Sequence, residues 1–268
     1  CALIHDDVMD GSDTRRNKPA IHKLFENMHR KNSYRGDAAR FGVASAILLG
    51  DLALVWADRA LMESGVTQTE LIQCQSIFCE MRDELMAGQY LDVLEGALGT
   101  SSVERSLKVA RYKSGKYSIE RPLHFGASLA GAESLNQTYS KFGLPLGEAF
   151  QLRDDVLGIF GDPKITGKPA GDDLREGKRT VLVGLTRESL TPTVGKIFDE
   201  LLTHRELDAE QIAFLQQTIK GSGALAKTES MIEELANESL LALDQLQLDP
   251  TAMMQLRELA VRVINRQS

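Results

Sequence analysis

Residues 20 to 121 contain no proline, and this restricts the fold more than any other feature of the sequence. Proline breaks helix interiors, and the stretch is rich in Ala, Leu, Glu, Met and Gln, which favour helices. The chain also lacks runs of alternating β-branched residues bounded by Asn-Gly or Asp-Gly turns, the usual signals of hairpins. The sequence therefore predicts an all-α fold.

The helices are expected in a few long segments and several short ones. One helix is predicted to end near Asp10, and long helices are predicted to cover 37–64, 68–94, 102–130 (interrupted near Pro122) and 135–160. Short helices are predicted to follow residues 180, 191, 208, 223 and 250. The polar connection 11–35 is predicted to be basic and irregular, and the polar connection 161–179 has Gly, Pro, Lys and Asp in quick succession. Since the chain has no linker or repeat, residues 1–268 are predicted to form a single domain.

Composition narrows the class of function and the compartment. Of the 268 residues, 43% are hydrophobic, and the formal net charge of −7 argues against nucleic acid as the main partner. The cysteines, Cys1, Cys74 and Cys79, are odd in number and lack metal-binding spacing, which favours a reducing cytoplasm. The apolar run 43–61 contains Asp51, Asp58 and Arg59, so we expect a buried helix there and no membrane span.

Asp6, Asp7 and Asp10 form the first of two acidic clusters. Spacings of three and four residues put these carboxylates on one face of a helix, where like charges repel. Hard oxygen ligands suit a divalent cation such as Mg²⁺, which is commonly shared with substrate phosphates. For this cluster alone, a solvated acidic helix end is an equally good interpretation.

Gln151, Asp154 and Asp155 form the second cluster, again at the end of an apolar helical segment. Both clusters precede basic segments, which makes chance a poor explanation. Neither has Cys or a second His nearby, so zinc is disfavoured. The two clusters together predict magnesium sites surrounded by phosphate-binding cations, which are Arg15, Arg16, Lys113, Lys116, Lys168 and Lys178.

These motifs resemble the trans-isoprenyl diphosphate synthases, or polyprenyl synthetases, over nearly the whole chain. The resemblance rests on the order and spacing of the following motifs: Leu-Ile-His-Asp-Asp-Val-Met-Asp (3–10) with Arg15-Arg16, Gly50-Asp51, Gly88-Gln89-x-x-Asp92, Lys113-Ser114, Phe150-Gln151-x-x-Asp154-Asp155, and Thr-Gly-Lys-Pro-x-Gly-Asp-Asp-Leu-x-x-Gly-Lys (166–178). It implies a bundle of long helices around a deep central cavity, and a homodimer.

The resemblance also implies a reaction and its residues. Isopentenyl diphosphate condenses with an allylic diphosphate by ionisation, condensation and proton loss. Three magnesium ions are implied when diphosphate is bound. Magnesium binding is implied for Asp6, Asp10 and Asp154, with support from Asp7 and Asp155. Allylic diphosphate binding is implied for Arg15, Lys113, Lys168 and Lys178, and isopentenyl diphosphate binding for Arg16 with His5 nearby. Gln89 is implied to bind substrate, and the reacting centre is implied to be lined by Ser114, Tyr117 and Gln151.

The chain departs from the family pattern in several places. The second acidic motif usually ends in a third Asp, and Gly158 stands there, so Asp162 is a candidate substitute. Ser114 replaces the usual Thr, and Asn17 follows the Arg pair in place of Gly. The chain begins five residues before Asp6 without an initiator Met, so the N-terminal helices of the family are expected to be missing from it.

Two alternatives to a synthase remain at the level of sequence. A class I terpene cyclase shares the metal-assisted ionisation, but it would carry an Asn/Asp-x-x-Ser/Thr-x-x-x-Glu motif. A non-catalytic subunit of a heteromeric synthase would tend to lose its acidic motifs, and here the first is intact. For a synthase we predict a geranylgeranyl (C20) or somewhat longer product, because Cys1 and Ala2 are small where family members that stop early place an aromatic residue.

Overall fold

The computed structural model describes residues 1–166, 169–204 and 207–266. Helices dominate these ranges, and the strands are limited to one two-residue pair, so the predicted all-α class is confirmed. The chain divides into two compact units, Cys1–Leu71 with Pro163–Pro169, and Ile72–Asp162 with Ala170–Ser268. The expectation of a single domain stays a prediction.

The helices have the following bounds: α1 Ala2–Asp10, α2 Ile21–Lys31, α3 Ala38–Met62, α4 Gln68–Leu98, α5 Val103–Val109, α6 Arg121–Leu129, α7 Asn136–Phe160, α8 Pro163–Thr166, α9 Asp172–Arg175, α10 Val181–Ser189, α11 Pro192–Leu202, α12 Ala209–Gly221, α13 Ala224–Leu243 and α14 Pro250–Ile264. A π-helix, Ala110–Glu120, joins α5 to α6, and a 3₁₀ turn, Glu133–Leu135, precedes α7. Strands β1 Thr14–Arg15 and β2 Lys18–Pro19 form an antiparallel hairpin.

Connection 11–35 is more ordered than the sequence predicted. It contains the β1–β2 hairpin and the 11-residue helix α2. The expectation of an irregular segment is wrong because α2 is amphipathic, with His22 and His29 buried and Arg30 and Lys31 exposed. Helix α2 packs closely on α3, since a Cβ at Gly42 would lie 2.3 Å from the carbonyl oxygen of His22.

Helix α3 is not the buried helix that the sequence suggested. Only Gly42, Ala46 and Gly50 are buried along it, and 22% of its most apolar window is buried. By length and composition alone this helix could cross a membrane. Large apolar side chains are therefore exposed along this helix: Val43, Ile47, Leu48, Leu52, Val55, Trp56 and Met62.

The core of the second unit is built around α7. Leu152 and Ile159 of α7 are fully buried with residues from α9, α10 and α12. Phe142 and Leu146, earlier on α7, pack with the ends of α13 and α14. The segment 102–130, predicted as one interrupted helix, is α5, the π-helix and α6, and Pro122 lies where the π-helix gives way to α6.

Candidate active site

The first acidic cluster lies on α1, and Arg15 is bound to it. The Arg15 Nε donates to both carboxylate oxygens of Asp7, at 2.8 and 2.9 Å, and its Nη2 lies 3.4 Å from Asp6 Oδ2. Asp7 is buried, and its hydrogen bond with Arg15 raises the pKa of the guanidinium. Asp7 therefore holds Arg15 beside Asp6. The supporting role of Asp7 in metal binding stays a prediction.

The hairpin explains why Arg15 reaches back to α1. Arg15 pairs with Lys18 across the hairpin, and the two turn residues, Arg16 and Asn17, have φ of 52° and 60°. Two-residue hairpins favour turns with positive φ, and Asn tolerates that conformation better than most residues do. Asn17 can thus stand in for the Gly of the family pattern, and Arg16 lies exposed at the tip of the turn.

His5 has an evident structural contact in the first unit. Its Nε2 lies 3.0 Å from the carbonyl oxygen of Ile47 and 3.6 Å from the carboxylate of Asp51, both on α3. A Cβ at Gly50 would lie 2.1 Å from the same nitrogen, so glycine is needed there for the ring to fit. The His5 ring therefore packs against Gly50 and lies beside Asp51, and these contacts hold α1 against α3. The predicted role of His5 beside isopentenyl diphosphate stays a prediction.

The second acidic cluster is linked to the π-helix by hydrogen bonds. Ser114 Oγ donates to Gln151 Oε1, and Gln151 Nε2 donates to Asp155 Oδ1 at 2.8 Å. Burial raises the pKa of the Asp155 carboxyl well above its ordinary value, and the neighbouring carboxylates of Asp173 and Asp154 raise it further. The structure thus brings together three predicted residues, Ser114, Gln151 and Asp155, and places the carboxylates of Asp154 and Asp173 near Asp155.

The π-helix carries the predicted residues Lys113, Ser114 and Tyr117. Lys113 Nζ lies 2.6 Å from Asp92 Oδ2 on α4, the last residue of the Gly-Gln-x-x-Asp motif. Gln89 of the same motif is partly exposed on α4. π-Helices are rare and often occur at functional sites. The break that the sequence suggested at Gly115 is therefore a change of helix type.

Two glycines set the position of the π-helix, and sequence reasoning did not find their role. A Cβ at Gly88 would lie 2.4 Å from the backbone nitrogen of Lys113, and a Cβ at Gly147 would lie 2.3 Å from Gly115 Cα. A Cβ at Gly115 itself would make ordinary contacts at 3.6 Å. Because α4 and α7 both approach this backbone closely, Gly88 and Gly147 are the glycines that the packing requires.

Among the remaining cations, Lys116 is paired with Glu84 and Glu120, at 2.6 and 3.4 Å. The others lie beside the second cluster or outside the described residues. Lys178 Nζ lies 2.9 Å from Glu176 Oε2 and 3.6 Å from Asp173 Oδ1. Arg266 Nη1 lies 3.1 Å from Asp154 Oδ1, a contact that the sequence did not predict. Lys168, which the resemblance places on the allylic diphosphate, lies outside the described residues.

The donor chemistry of both clusters fits magnesium shared with a ligand. Within 1–166, 169–204 and 207–266, no three His, Cys, Asp or Glu side chains form a ready-made metal cage. Mg²⁺ usually takes one or two carboxylates and completes its shell with water and substrate phosphates, so a partial set is expected. The crowding of Asp154 and Asp173 around buried Asp155 is the observation that favours a cation there.

These features define an all-α protein with two carboxylate clusters, each beside cationic side chains that suit phosphate. A model of the polyprenyl synthetase family matches residues 1–219, and the chain belongs to this family. The family match supports the synthase interpretation over a terpene cyclase.

Relatives with known names are similar over much of the chain. The geranylfarnesyl diphosphate synthase of Aeropyrum pernix is 34% identical over 186 residues, which cover 68% of this chain and 53% of that protein. The short chain isoprenyl diphosphate synthase of Methanocaldococcus jannaschii is 31% identical over 228 residues, which cover 84% of this chain and 63% of that protein. The chain thus spans between half and two thirds of the length of these curated relatives.

Solved structures give the same fold. A geranylgeranyl pyrophosphate synthase from Corynebacterium glutamicum, complexed with isoprenyl diphosphate and magnesium, superposes with a TM-score of 0.95 at 42% identity. The match covers 99% of this chain and 75% of that one. A polyprenyl synthase from Caulobacter crescentus, complexed with calcium and isoprenyl diphosphate, superposes with a TM-score of 0.83 at 27% identity. The family is therefore metal-dependent.

Proposed function

We propose that this protein is a trans-prenyltransferase, which condenses isopentenyl diphosphate with an allylic diphosphate to give a linear polyprenyl diphosphate. The main support for this proposal is that an aspartate of each acidic motif is hydrogen-bonded to another residue that belongs to the family motifs. Arg15 is held on Asp7 in one unit, and Gln151 links Ser114 to Asp155 in the other. Family membership and the named relatives support the same reaction class.

Asp6, Asp10 and Asp154 are proposed to bind Mg²⁺, with Asp7 and Asp155 in support and three ions present when diphosphate is bound. Magnesium, when bound, would neutralise the charge that develops on the departing diphosphate. Arg15, Lys113, Lys168 and Lys178 would hold the allylic diphosphate, and Arg16 would hold isopentenyl diphosphate near His5. Gln89 would bind substrate, and Ser114, Tyr117 and Gln151 would line the reacting centre. Dry apolar walls would keep water from the allylic cation.

Turnover by the full-length protein tests this proposal. Labelled isopentenyl diphosphate and an allylic diphosphate should give a linear product with Mg²⁺, and none with excess EDTA. A cyclic hydrocarbon would indicate a terpene cyclase. Turnover only after a second protein is added would indicate a non-catalytic subunit of a heteromeric synthase.

We propose that the main product is C20 or somewhat longer, and that Ala2 helps to set its length. Changing Ala2 to Phe should shorten the main product by at least one C5 unit, because an aromatic ring near the first acidic motif would block the growing tail. Chromatography of the dephosphorylated products measures this. Leu3→Phe is the matched control, since Leu3 is 49% exposed and the same ring there should leave the length unchanged. Farnesol from the unmodified enzyme, or equal lengths from both variants, would contradict the proposal.

We propose that the protein is a cytoplasmic homodimer in which the exposed apolar face of α3 is covered by the partner. Leu48, Val55 and Trp56 are 69%, 55% and 50% exposed, more apolar surface than a monomer usually leaves to water. Asp51, Asp58 and Arg59 on the same helix disfavour a bilayer.

Leu48→Glu tests the assignment of α3 to a dimer interface. The unmodified protein should sediment as a dimer at micromolar concentration, and Leu48→Glu should shift it towards monomer because a charge would be buried at the interface. Leu241→Glu is the control, because Leu241 is 66% exposed on α13. A monomeric unmodified protein would rule the dimer out, and association with liposomes would favour a membrane role for α3.

A further inference from the structure

Glu84 on α4 binds two cations of the neighbouring segment with one carboxylate. Lys116 Nζ lies 2.6 Å from Glu84 Oε1. Arg121 donates from Nε to Glu84 Oε2 at 2.7 Å and from Nη2 to Glu84 Oε1 at 2.8 Å. The side chains of all three residues are no more than 15% exposed. Burial raises the pKa of the Glu84 carboxyl, but hydrogen bonds from Arg121 and Lys116 outweigh this effect and lower the pKa below its ordinary value. Glu84 is therefore charged at neutral pH and is held between two cations.

Lys116 and Arg121 are five residues apart, and their relative direction depends on the type of helix between them. On an α-helix, residues five apart point about 140° away from each other, so they do not share a face. On a π-helix, backbone hydrogen bonds join residues five apart, so their side chains lie one above the other. The Arg121 amide donates to the Lys116 carbonyl oxygen, which is a bond of this kind. Both side chains reach Glu84 because the turn that joins them is π-helical.

The shared contact with Glu84 also explains what favours a π-helix in this segment. π-Helices are rare, so the conformation needs contacts from outside the helix. Gly88 and Gly147 permit the close approach of α4 and α7, but a glycine has no side chain that would favour one type of helix over another. Buried ion pairs add little net stability, and their best-supported use is to fix one arrangement among several. A carboxylate that binds residues five apart favours the π-helical arrangement.

We propose that Glu84 is a positioning residue, which selects the π-helical conformation of Ala110–Glu120 and thereby directs Lys113 and Ser114 towards substrate. The consequence for the reaction rests on the proposed function, in which Lys113 holds the allylic diphosphate and Ser114 lines the reacting centre.

Loss of the contact with Glu84 would change the direction of the side chains that precede it. If the π-helical turn before α6 became α-helical, the earlier residues would rotate by roughly 100° relative to α6, the angle that one residue occupies on an α-helix. Lys113 would then leave Asp92, and Ser114 would leave Gln151. The positions of Lys113 and Ser114 therefore depend on a carboxylate that binds further along the helix.

Glu84→Gln tests this proposal, because it keeps the shape of the side chain and removes its charge. In a crystal structure of the variant, the Arg121 amide should bond to the Tyr117 carbonyl, four residues back, in place of the Lys116 carbonyl. At a temperature at which melting curves show the variant to be folded, kcat should fall about tenfold or more, because small misplacements at a reacting centre are costly.

Glu80→Gln is the matched control on the same helix. Glu80 is 53% exposed and lies 2.7 Å from Arg121 Nη2, so this variant should keep both the backbone bond and the kcat of the unmodified protein. An Arg121 amide still bonded to the Lys116 carbonyl in Glu84→Gln, or an unchanged kcat in that variant, would overturn the proposal.

Lys116→Met is a milder second variant, because Glu84 keeps its two hydrogen bonds with Arg121. It should show the same change of backbone bond and a similar loss of kcat. It also tests the expectation from sequence that Lys116 binds phosphate. Calorimetry with inorganic pyrophosphate and Mg²⁺ should show similar losses of affinity in Lys116→Met and Glu84→Gln, since both displace Lys113. A loss in Lys116→Met alone would identify Lys116 as a phosphate ligand and would overturn the proposal.

The same variants separate this inference from the proposed function. Absence of prenyl transfer by the unmodified protein, with the backbone bond from Arg121 to Lys116 lost in both Glu84→Gln and Lys116→Met, would refute the proposed function and leave the selection of the π-helix by Glu84 standing.

Discussion

Asp154→Ala is expected to lower kcat by about a hundredfold to a thousandfold while the protein remains folded. The loss is large because the change removes an oxygen donor from the magnesium that would stabilise the departing diphosphate, and one such electrostatic contact is typically worth this much in rate. The melting temperature should change little, since Asp154 is 47% exposed and its ion pair with Arg266 is solvent-screened. Steady-state kinetics over a Mg²⁺ titration, with circular dichroism melting, measures both.

The same loss is expected for Asp6→Ala in the first cluster. Asp6 accepts a long contact from Arg15 at 3.4 Å, whereas Asp7 holds that guanidinium at 2.8 and 2.9 Å, so Arg15 keeps its main partner in the variant. Asp83→Ala, an exposed position on α4, is the control and should keep the kcat of the unmodified enzyme. Near-normal kcat and an unchanged Mg²⁺ dependence in both Asp6→Ala and Asp154→Ala would exclude metal-assisted prenyl transfer by these clusters.

The sequence was most informative where the relevant contacts are local. Spacings of three and four residues placed Asp154 and Asp155 on one face of a helix with Gln151, and the structure joins Gln151 to Asp155 by a hydrogen bond. The long helix that bears them was predicted at 135–160 and is α7, Asn136–Phe160. Pro145 lies inside α7 and costs one hydrogen bond, but buried neighbours such as Phe142 and Leu146 hold the helix together.

The contacts that the sequence did not reveal join segments far apart in the chain. Gly158 fits Asp173 only because α9 returns to α7, and no local pattern records that approach. No residue pattern in the sequence distinguishes a π-helix from an α-helix. Gly115 therefore indicated a break in the helix, but the sequence did not indicate that the segment is a π-helix. The exposure of α3 was missed for a related reason, since an apolar helix of 25 residues looks the same whether its own chain or a partner covers it.

The close approach of α7 to the π-helix leads to the second large effect. Gly147 and Gln151 are four residues apart on α7 and therefore share a face, and that face meets Gly115 and Ser114. An alanine at 147 would place its Cβ 2.3 Å from Gly115 Cα and 2.9 Å from its carbonyl oxygen. Backbone atoms cannot rotate away as a side chain can, so the whole π-helix must shift away from α7.

We therefore expect Gly147→Ala to destabilise the protein by about 3 kcal/mol or more, as severe overpacking does. For a chain of this size that lowers the melting temperature by roughly 10 °C. The shift should also stretch the hydrogen bond from Ser114 to Gln151 and displace Lys113, so kcat should fall even well below the melting temperature. Gly126→Ala is the matched control: Gly126 lies within α6 with nothing within 4 Å of the added Cβ, and alanine there should stabilise the helix by about 0.5–1 kcal/mol. Equal melting temperatures for the two alanine variants would show that α7 and the π-helix do not pack as closely as this structure has them.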